Sequence, residues 1–289
     1  MRWEDLREEE FEDAITASKG LCVLPLGCLE KHGQHLPVGT DYYIAESLAQ
    51  KAAEVEDAVV FPTGFWLGDV ACFHAEDASA GKYHGCFAIN LKTMLRTLEE
   101  LCDEIARNGF TKILLFNIHG GSFSVCKDFV NEISRKGKPY TVFYALTILG
   151  EPMQPAAFLK TVNENREAFP MMTETDMAVM QSWVPTGYQG GHANFLETAL
   201  LMGDYPHLVA PERYYVENGI NNHRTDHLTK QGLYMMQDWL TRYPNMYSGA
   251  APHGCSQSIG EAMLQIHTEY AARVYRTIKN SDVSPAANL

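Results

Sequence analysis

Glu30, His32, His35 and Asp41 fall within twelve residues of the stretch LPLGCLEKHGQHLPVGTD, which runs from Leu24 to Asp41. Carboxylates and imidazoles are the donors that divalent Zn, Mn and Fe accept, so a metal site is the first chemistry to weigh. In an extended segment, side chains two residues apart share a face, which lets Glu30 and His32 grip one ion. Gly33, Pro37 and Gly39 then turn the chain, and Asp41 returns to the same place from the start of the next helix. A polar surface loop with Thr40 and Asp41 as a helix cap is the plainer reading. It accounts for Asp41 and leaves Glu30 and His32 without a reason.

The elements around this stretch read as an α/β pattern. Leu21 to Leu26 is an apolar run suited to a buried strand, the spacing over 41 to 55 predicts a helix, and AVVFP at 58 to 62 predicts the next strand. An acidic helix is expected at about 3 to 17. Residues 63 to 90 read as a long loop carrying His74 and His84, and long loops inside compact domains are usually functional. Apolar positions three and four apart predict a helix over 91 to 108, closed by Gly109. TKILLFNIHGGS follows as a buried strand ending in His119, Gly120 and Gly121 and opening into a helix at about 123 to 135. A strand is expected at 141 to 148 and irregular chain from 149 to 172. Helical spacing resumes from Glu174 to Trp183, and GGHANFLETALLMG at 190 to 203 places His192 before a helix that carries Glu197. Helices at about 227 to 240 and 258 to 279 complete the pattern. In open parallel sheets ligands collect beyond the carboxyl ends of the strands, where both the Glu30 loop and His119 belong.

Composition bounds the rest. A chain of 289 residues with 46% apolar and 20% charged residues is an ordinary globular protein, read as one domain over 1–289. The formal charge of −13 argues against a nucleic-acid partner, whose phosphates need Lys and Arg. The start, MRWEDLREEE, lacks the basic end and apolar core of an export signal, and runs such as ILLF at 113 to 116 are too short to cross a bilayer, so no membrane partner and a cytoplasmic setting are expected. Seven cysteines with no CxxC pair fit reduced thiols, most of them small core residues.

Taken together, PLGCLEKHGQHLPVGTD at 25 to 41, YHGCFAINLKTML at 83 to 95, FTKILLFNIHGGS at 110 to 122 and GGHANFLETAL at 190 to 200 resemble the creatininase, or creatinine amidohydrolase, family. The resemblance implies a three-layer α/β/α sandwich around a mostly parallel sheet and two divalent metal ions per subunit (Zn, Mn or Fe). It also implies hydrolysis of the C–N bond of a small cyclic amide or formamide, and a homo-oligomer, commonly a hexamer. Position by position it implies Glu30, His32, Asp41 and His119 as metal ligands, with Asp41 bridging, and His192 as the catalytic histidine. Creatininase proper has a glutamate ligand two residues after the strand-end histidine, where this chain has Gly121. The HGG string resembles the formamide-hydrolase branch, and Glu197 becomes the substitute ligand.

Two such ions lower the pKa of a bridging water and clamp the charge that develops on the attacked carbonyl. Backbone N–H groups near Gly120 and Gly121 are expected to help hold the oxyanion, with His192 passing a proton to the leaving nitrogen. His35 either orients a ligand or faces solvent. Trp183 is a substrate lid or core packing, and His74 and His84 are possible substrate contacts. Three rivals stand beside this reading: a two-metal hydrolase of a C–C or C–O bond in a keto-sugar, a non-catalytic binding protein that kept the metal, and a thiol amidase using Cys28 or Cys255.

Overall fold

Leu21–Leu26, buried along its whole length, forms β1, as a central strand of a parallel sheet must. In the computed structural model of the chain, which describes residues 1–64, 83–87, 89–145, 154–186, 191–233, 235 and 238–283, three more strands follow. They are β2 (Val59–Val60), β3 (Lys112–Asn117) and β4 (Thr141–Tyr144). All pair in parallel in the order β2-β1-β3-β4, with Leu26 opposite Asn117 and Lys112 opposite Thr141. The helices are α1 (Phe11–Ala17), α2 (Thr40–Val55), α3 (Leu91–Arg107), α4 (Phe123–Ile133), α5 (Pro155–Glu164), α6 (Glu174–Trp183), α7 (Phe195–Asp204), α8 (Asp226–Thr229), α9 (Asp238–Arg242) and α10 (Gln257–Asn280).

Side chains alternate across the sheet even though both faces are buried. Leu21 and Val23 of β1 join Leu114 and Phe116 of β3 in a core with α2, α5, α6, α7 and α10. Cys22, Leu24 and Leu26 join Ile113 and Leu115 in a second core with α1, α3 and α4. Helices thus cover both faces of a parallel sheet, the three-layer arrangement expected from the sequence. On one side α7 crosses α10 so closely that a Cβ on Gly260 would meet the carbonyl of Ala199. The Asp176 carboxylate at the start of α6 accepts from Ser256 and Ser258, tying that helix to the start of α10.

The chain passes from β1 through α2 to β2 and from β3 through α4 to β4, so it leaves the neighbouring strands β1 and β3 in opposite directions. A crevice opens at such a switch point, and the loops after β1 and β3 line it.

Several elements differ from expectation. The N-terminal helix is confined to α1, after short turns at Trp3–Asp5 and Glu8–Glu10, because the Glu10 carboxylate reaches back to the Arg7 N–H and starts the helix late. Residues 149 to 172 contain a helix: Pro155 sits in the first turn of α5, which tolerates its missing N–H, and Phe158, Leu159 and Val162 bury one face. The helix expected over 227 to 240 is two short ones, α8 and α9, with Gly232 at φ +71 between them. Strand β4 ends at Tyr144, and most of the 63 to 90 loop, His74 included, lies outside the described residues. Among the described residues no helix is long and apolar enough to cross a membrane.

Candidate metal centre

Gly27 determines how the first cluster assembles. A Cβ there would lie 2.6 Å from the Tyr42 backbone nitrogen, so only glycine lets the start of α2 press against the loop leaving β1. That contact sets Asp41, in the first turn of α2, beside the loop's side chains. The loop closes on itself through the Glu30 N–H to the Val38 carbonyl (2.9 Å), and Thr40 caps back to Pro37. At the end of β3 the Asn117 side chain donates to the His119 carbonyl (2.7 Å) and fixes the turn that presents His119.

The third cluster is held in the same way. Gly191 would clash with the Ser248 carbonyl if it carried a Cβ, and His192 pairs with Ser248 in both directions (3.0 and 2.9 Å). Ala193 takes a left-handed conformation, φ +58, uncommon outside glycine. Its N–H donates to Glu197 Oε2 at 2.5 Å, and Asn194 caps α7 through the Leu196 and Glu197 N–H groups.

The structure brings together all six residues that the sequence singled out as ligands or catalytic histidine. His119 Nδ1 lies 2.9 Å from Asp41 Oδ2 and 3.0 Å from Glu30 Oε1. His32 Nε2 lies 3.3 Å from Asp41 Oδ1 and 3.8 Å from Glu197 Oε2. One oxygen of Asp41 therefore faces each imidazole. Two donor sets share it: Cys28, Glu30, Asp41 and His119 in one, and His32, Asp41 and Glu197 in the other, the donor atoms of each lying within 4.8 Å of one another. Donors on a tetrahedral Zn with bonds near 2.0 Å stand about 3.3 Å apart, a spacing that the 2.9–3.8 Å separations above bracket.

Hydrogen bonds assign the imidazole tautomers. His32 Nδ1–H donates to the Glu30 carbonyl (3.0 Å), leaving Nε2 toward the carboxylates. His192 Nε2–H donates to the Lys31 carbonyl (2.8 Å), leaving Nδ1 as a basic nitrogen 3.6 Å from Glu30 Oε1. The His192 ring lies 4.1 Å from that of His32, and Trp239 of α9 packs against it at 87°.

Three carboxylates concentrated in a buried site need positive partners. Burial opposes a charge on His32, yet Asp41, Glu197 and Glu30 outweigh it and raise its pKa from 6.5 to about 10. Burial opposes a charge on His119 too, but Cys28, Glu30 and Asp41 hold its pKa well above the ordinary value. Against the same desolvation, the imidazoles hold Asp41 well below the carboxylate range and lower Glu30, whereas burial wins at Glu197 and raises it. Protonated imidazoles thus occupy the electrostatic role that cations would fill.

The other expected residues fall into two groups, the glycines that directly follow His119 and side chains placed away from the cluster. Gly120 and Gly121 are exposed in the turn that opens α4, where helix N–H groups lack internal acceptors. Trp183 is 2% exposed, packed on Phe195 and stacked on His253, which places it in the core. His35 does not face solvent: it is buried between Tyr214 and Tyr247 with Nε2 3.3 Å from Thr198 Oγ1, and burial lowers its pKa to about 4. His84 is exposed, and His74 lies outside the described residues. Sequence reasoning overlooked Cys28 as a member of the donor set, although it stands two residues before Glu30 as His32 stands two after. Trp239 was also overlooked, and nothing in its local sequence marks it.

The family described as creatininase, creatinine amidohydrolase, matches the chain from residue 4 to 275. A creatinine amidohydrolase of Pseudomonas putida is 25% identical over 214 residues, covering 72% of this chain and 74% of its own length. Among solved structures, a mutant creatininase aligns with a TM-score of 0.69 at 20% identity, over 97% of this chain and 99% of its own. A mutant creatininase of Zn–Zn type aligns with a TM-score of 0.66 at 22% identity, over 97% and 98%. At such identities the structural likeness is one of fold.

Proposed function

The chain belongs to the creatininase family, and from that premise we propose that it is a two-metal amidohydrolase cleaving the C–N bond of a small cyclic amide or formamide. The observation that carries the reading is the Asp41 carboxylate divided between two donor sets, one oxygen toward His119 and the other toward His32. The Zn–Zn type of the mutant creatininase supports two ions at such a site. When bound, two divalent ions supply acidification of a water and polarisation of the substrate carbonyl.

The protein's own groups do the rest. Glu30, Asp41 and His119 would hold one ion, and His32, Asp41 and Glu197 would hold the other. The Lys31 carbonyl keeps the His192 proton on Nε2, so Nδ1 is the nitrogen that takes up a proton and passes it to the leaving amine. The N–H groups of Gly120 and Gly121, at the start of α4, offer donors to a developing oxyanion. With Gly121 where creatininase proper carries a glutamate, formamides rank beside cyclic amides as substrates. The reading extends to a cytoplasmic protein that associates with its own copies through exposed Tyr215, Val216 and Ile220.

Elemental analysis of freshly purified protein beside Asp41→Ala, both checked for folding by circular dichroism, tests this. About two ions per chain, lost in the folded variant, with chelator-sensitive release of amine or formate from a panel of formamides and cyclic amides, is the expected result. A protein that refuses added Zn, Mn and Fe overturns the reading.

A further inference from the structure

We propose that Cys28 is a fourth protein donor to the ion held by Glu30, Asp41 and His119, so that one of the two ions carries a thiolate and the other does not. The inference rests on the two-ion reading above and adds a ligand to it.

Cys28 Sγ lies 3.1 Å from Asp41 Oδ2, the same oxygen that His119 Nδ1 approaches at 2.9 Å. It is fully buried, and its sulfur, one Glu30 oxygen, one Asp41 oxygen and the His119 nitrogen are mutually within 4.8 Å. The backbone fixes it there. Gly27 abuts the start of α2, and the Leu29 carbonyl accepts from the Phe87 N–H at 2.8 Å, so the residue between has little freedom to turn away. Glu30, Asp41 and His119 alone provide three protein donors, and a sulfur would make a fourth, leaving a water to take a fifth position as zinc allows.

The plainer reading makes Cys28 a small apolar core residue, as Cys22, Cys102 and Cys126 are. Those three lie in the apolar core between the sheet and α3 and α4, and Cys28 itself has one side against a small apolar cluster with Leu240 and Met246. Cys28 nevertheless directs its S–H at a carboxylate shared with an imidazole. When an ion binds, the S–H bond gives its proton to solvent and the sulfur lone pair forms the bond to the metal. A thiolate favours Zn, Co and Fe over Mn, so the two sites should differ in metal preference.

Cobalt provides a readout independent of activity. Chelated wild-type protein and Cys28→Ser are each titrated with Co(II), while d–d absorption and bound metal are recorded together with the near-ultraviolet region, where thiolate-to-cobalt charge transfer appears. The wild type should bind about two ions per chain and show the charge-transfer band. Cys28→Ser should keep d–d absorption without that band and lose Zn affinity at one site. Two bound ions without a charge-transfer band in the wild type, or a band that survives in Cys28→Ser, overturns the assignment and leaves the two-ion reading intact. A wild type that binds no cobalt or zinc overturns both. Should Cys28→Ser fail to fold, X-ray absorption on the zinc-loaded wild type decides: a sulfur shell at about 2.3 Å supports the assignment, and shells of nitrogen and oxygen alone refute it.

Discussion

Removing the metal should invert the pH response of the fold, and His32 is the residue through which to measure it. In the metal-free chain the surrounding carboxylates raise its pKa from 6.5 to about 10 despite full burial. A group whose folded pKa is raised stabilises the fold fully below its unfolded value and loses that contribution as pH climbs through the folded value. The window therefore runs from pH 6.5 up to about 10. At 1.36 kcal/mol per pH unit the ceiling is about 5 kcal/mol. The same carboxylates also hold His119, which takes up part of the slack when His32 is removed, so about half of that should be seen. For a chain of this length 1 kcal/mol moves the melting temperature by about 2 °C, which gives about 5 °C across the window. The assay is thermal melting of chelated wild type and chelated His32→Gln at a series of pH values, beside metal-loaded wild type. The stability gap between the chelated proteins should narrow steadily as pH rises, while the loaded protein holds or gains, because its ligand nitrogens carry no proton. A gap that stays constant with pH would refute the idea that imidazolium stands in for cation at this site.

Two further outcomes are expected. If its Nδ1 handles a proton rather than a metal, His192→Ala should lower kcat by about 10²–10⁴-fold while elemental analysis finds both ions retained; loss of metal would reassign it as a ligand beside Glu30 and His32. His267, buried in α10 with Nδ1 at 2.7 Å from the Met263 carbonyl, has its pKa lowered from 6.5 to about 4 by burial. Its neutral form stabilises the fold above pH 6.5, and that support is lost as pH falls toward 4, up to about 3 kcal/mol; His267→Leu should flatten this part of the acid-melting curve.

The parts of the fold legible from sequence are those where one local rule dominates. The apolar run at Leu21–Leu26 appears as a strand with the expected bounds, and the spacing over Leu91–Arg107 as a helix closed by Gly109 at φ +106. Helix α5 falls where irregular chain was expected over 149 to 172, because its ten residues give only a short apolar stripe, Phe158, Leu159 and Val162, after a proline that fits a first helical turn. The acidic cluster was legible because carboxylates and imidazoles placed at strand ends are costly unless paired. Cys28 was not, since a cysteine in an apolar run reads as core until the distance to Asp41 is known. Trp239 reaches His192 only through the tertiary placement of a five-residue helix. Local spacing carries no trace of that contact.

The donors come from four separate places: the loop after β1, the first turn of α2, the end of β3 and the first turn of α7. Three of them adjoin a helix N-terminus, since His119 leads into α4, and the positive ends of those helices favour the negative charge that Asp41 and Glu197 bring. On the proposed reading this arrangement would let the site do without a carboxylate at 121. In creatininase proper the last carboxylate follows the strand-end histidine on the same loop. Here Glu197 comes from across the crevice, its position set by Asn194 and the Ala193 N–H rather than by the β3 loop. The β3 loop is bare: Gly120 and Gly121 are exposed, and beyond its chain neighbours no atom stands within 4 Å of where a Gly120 side chain would begin. If Glu197 serves as the ligand in place of a residue at 121, the exposed turn would leave the Gly120 and Gly121 N–H groups accessible to a substrate carbonyl.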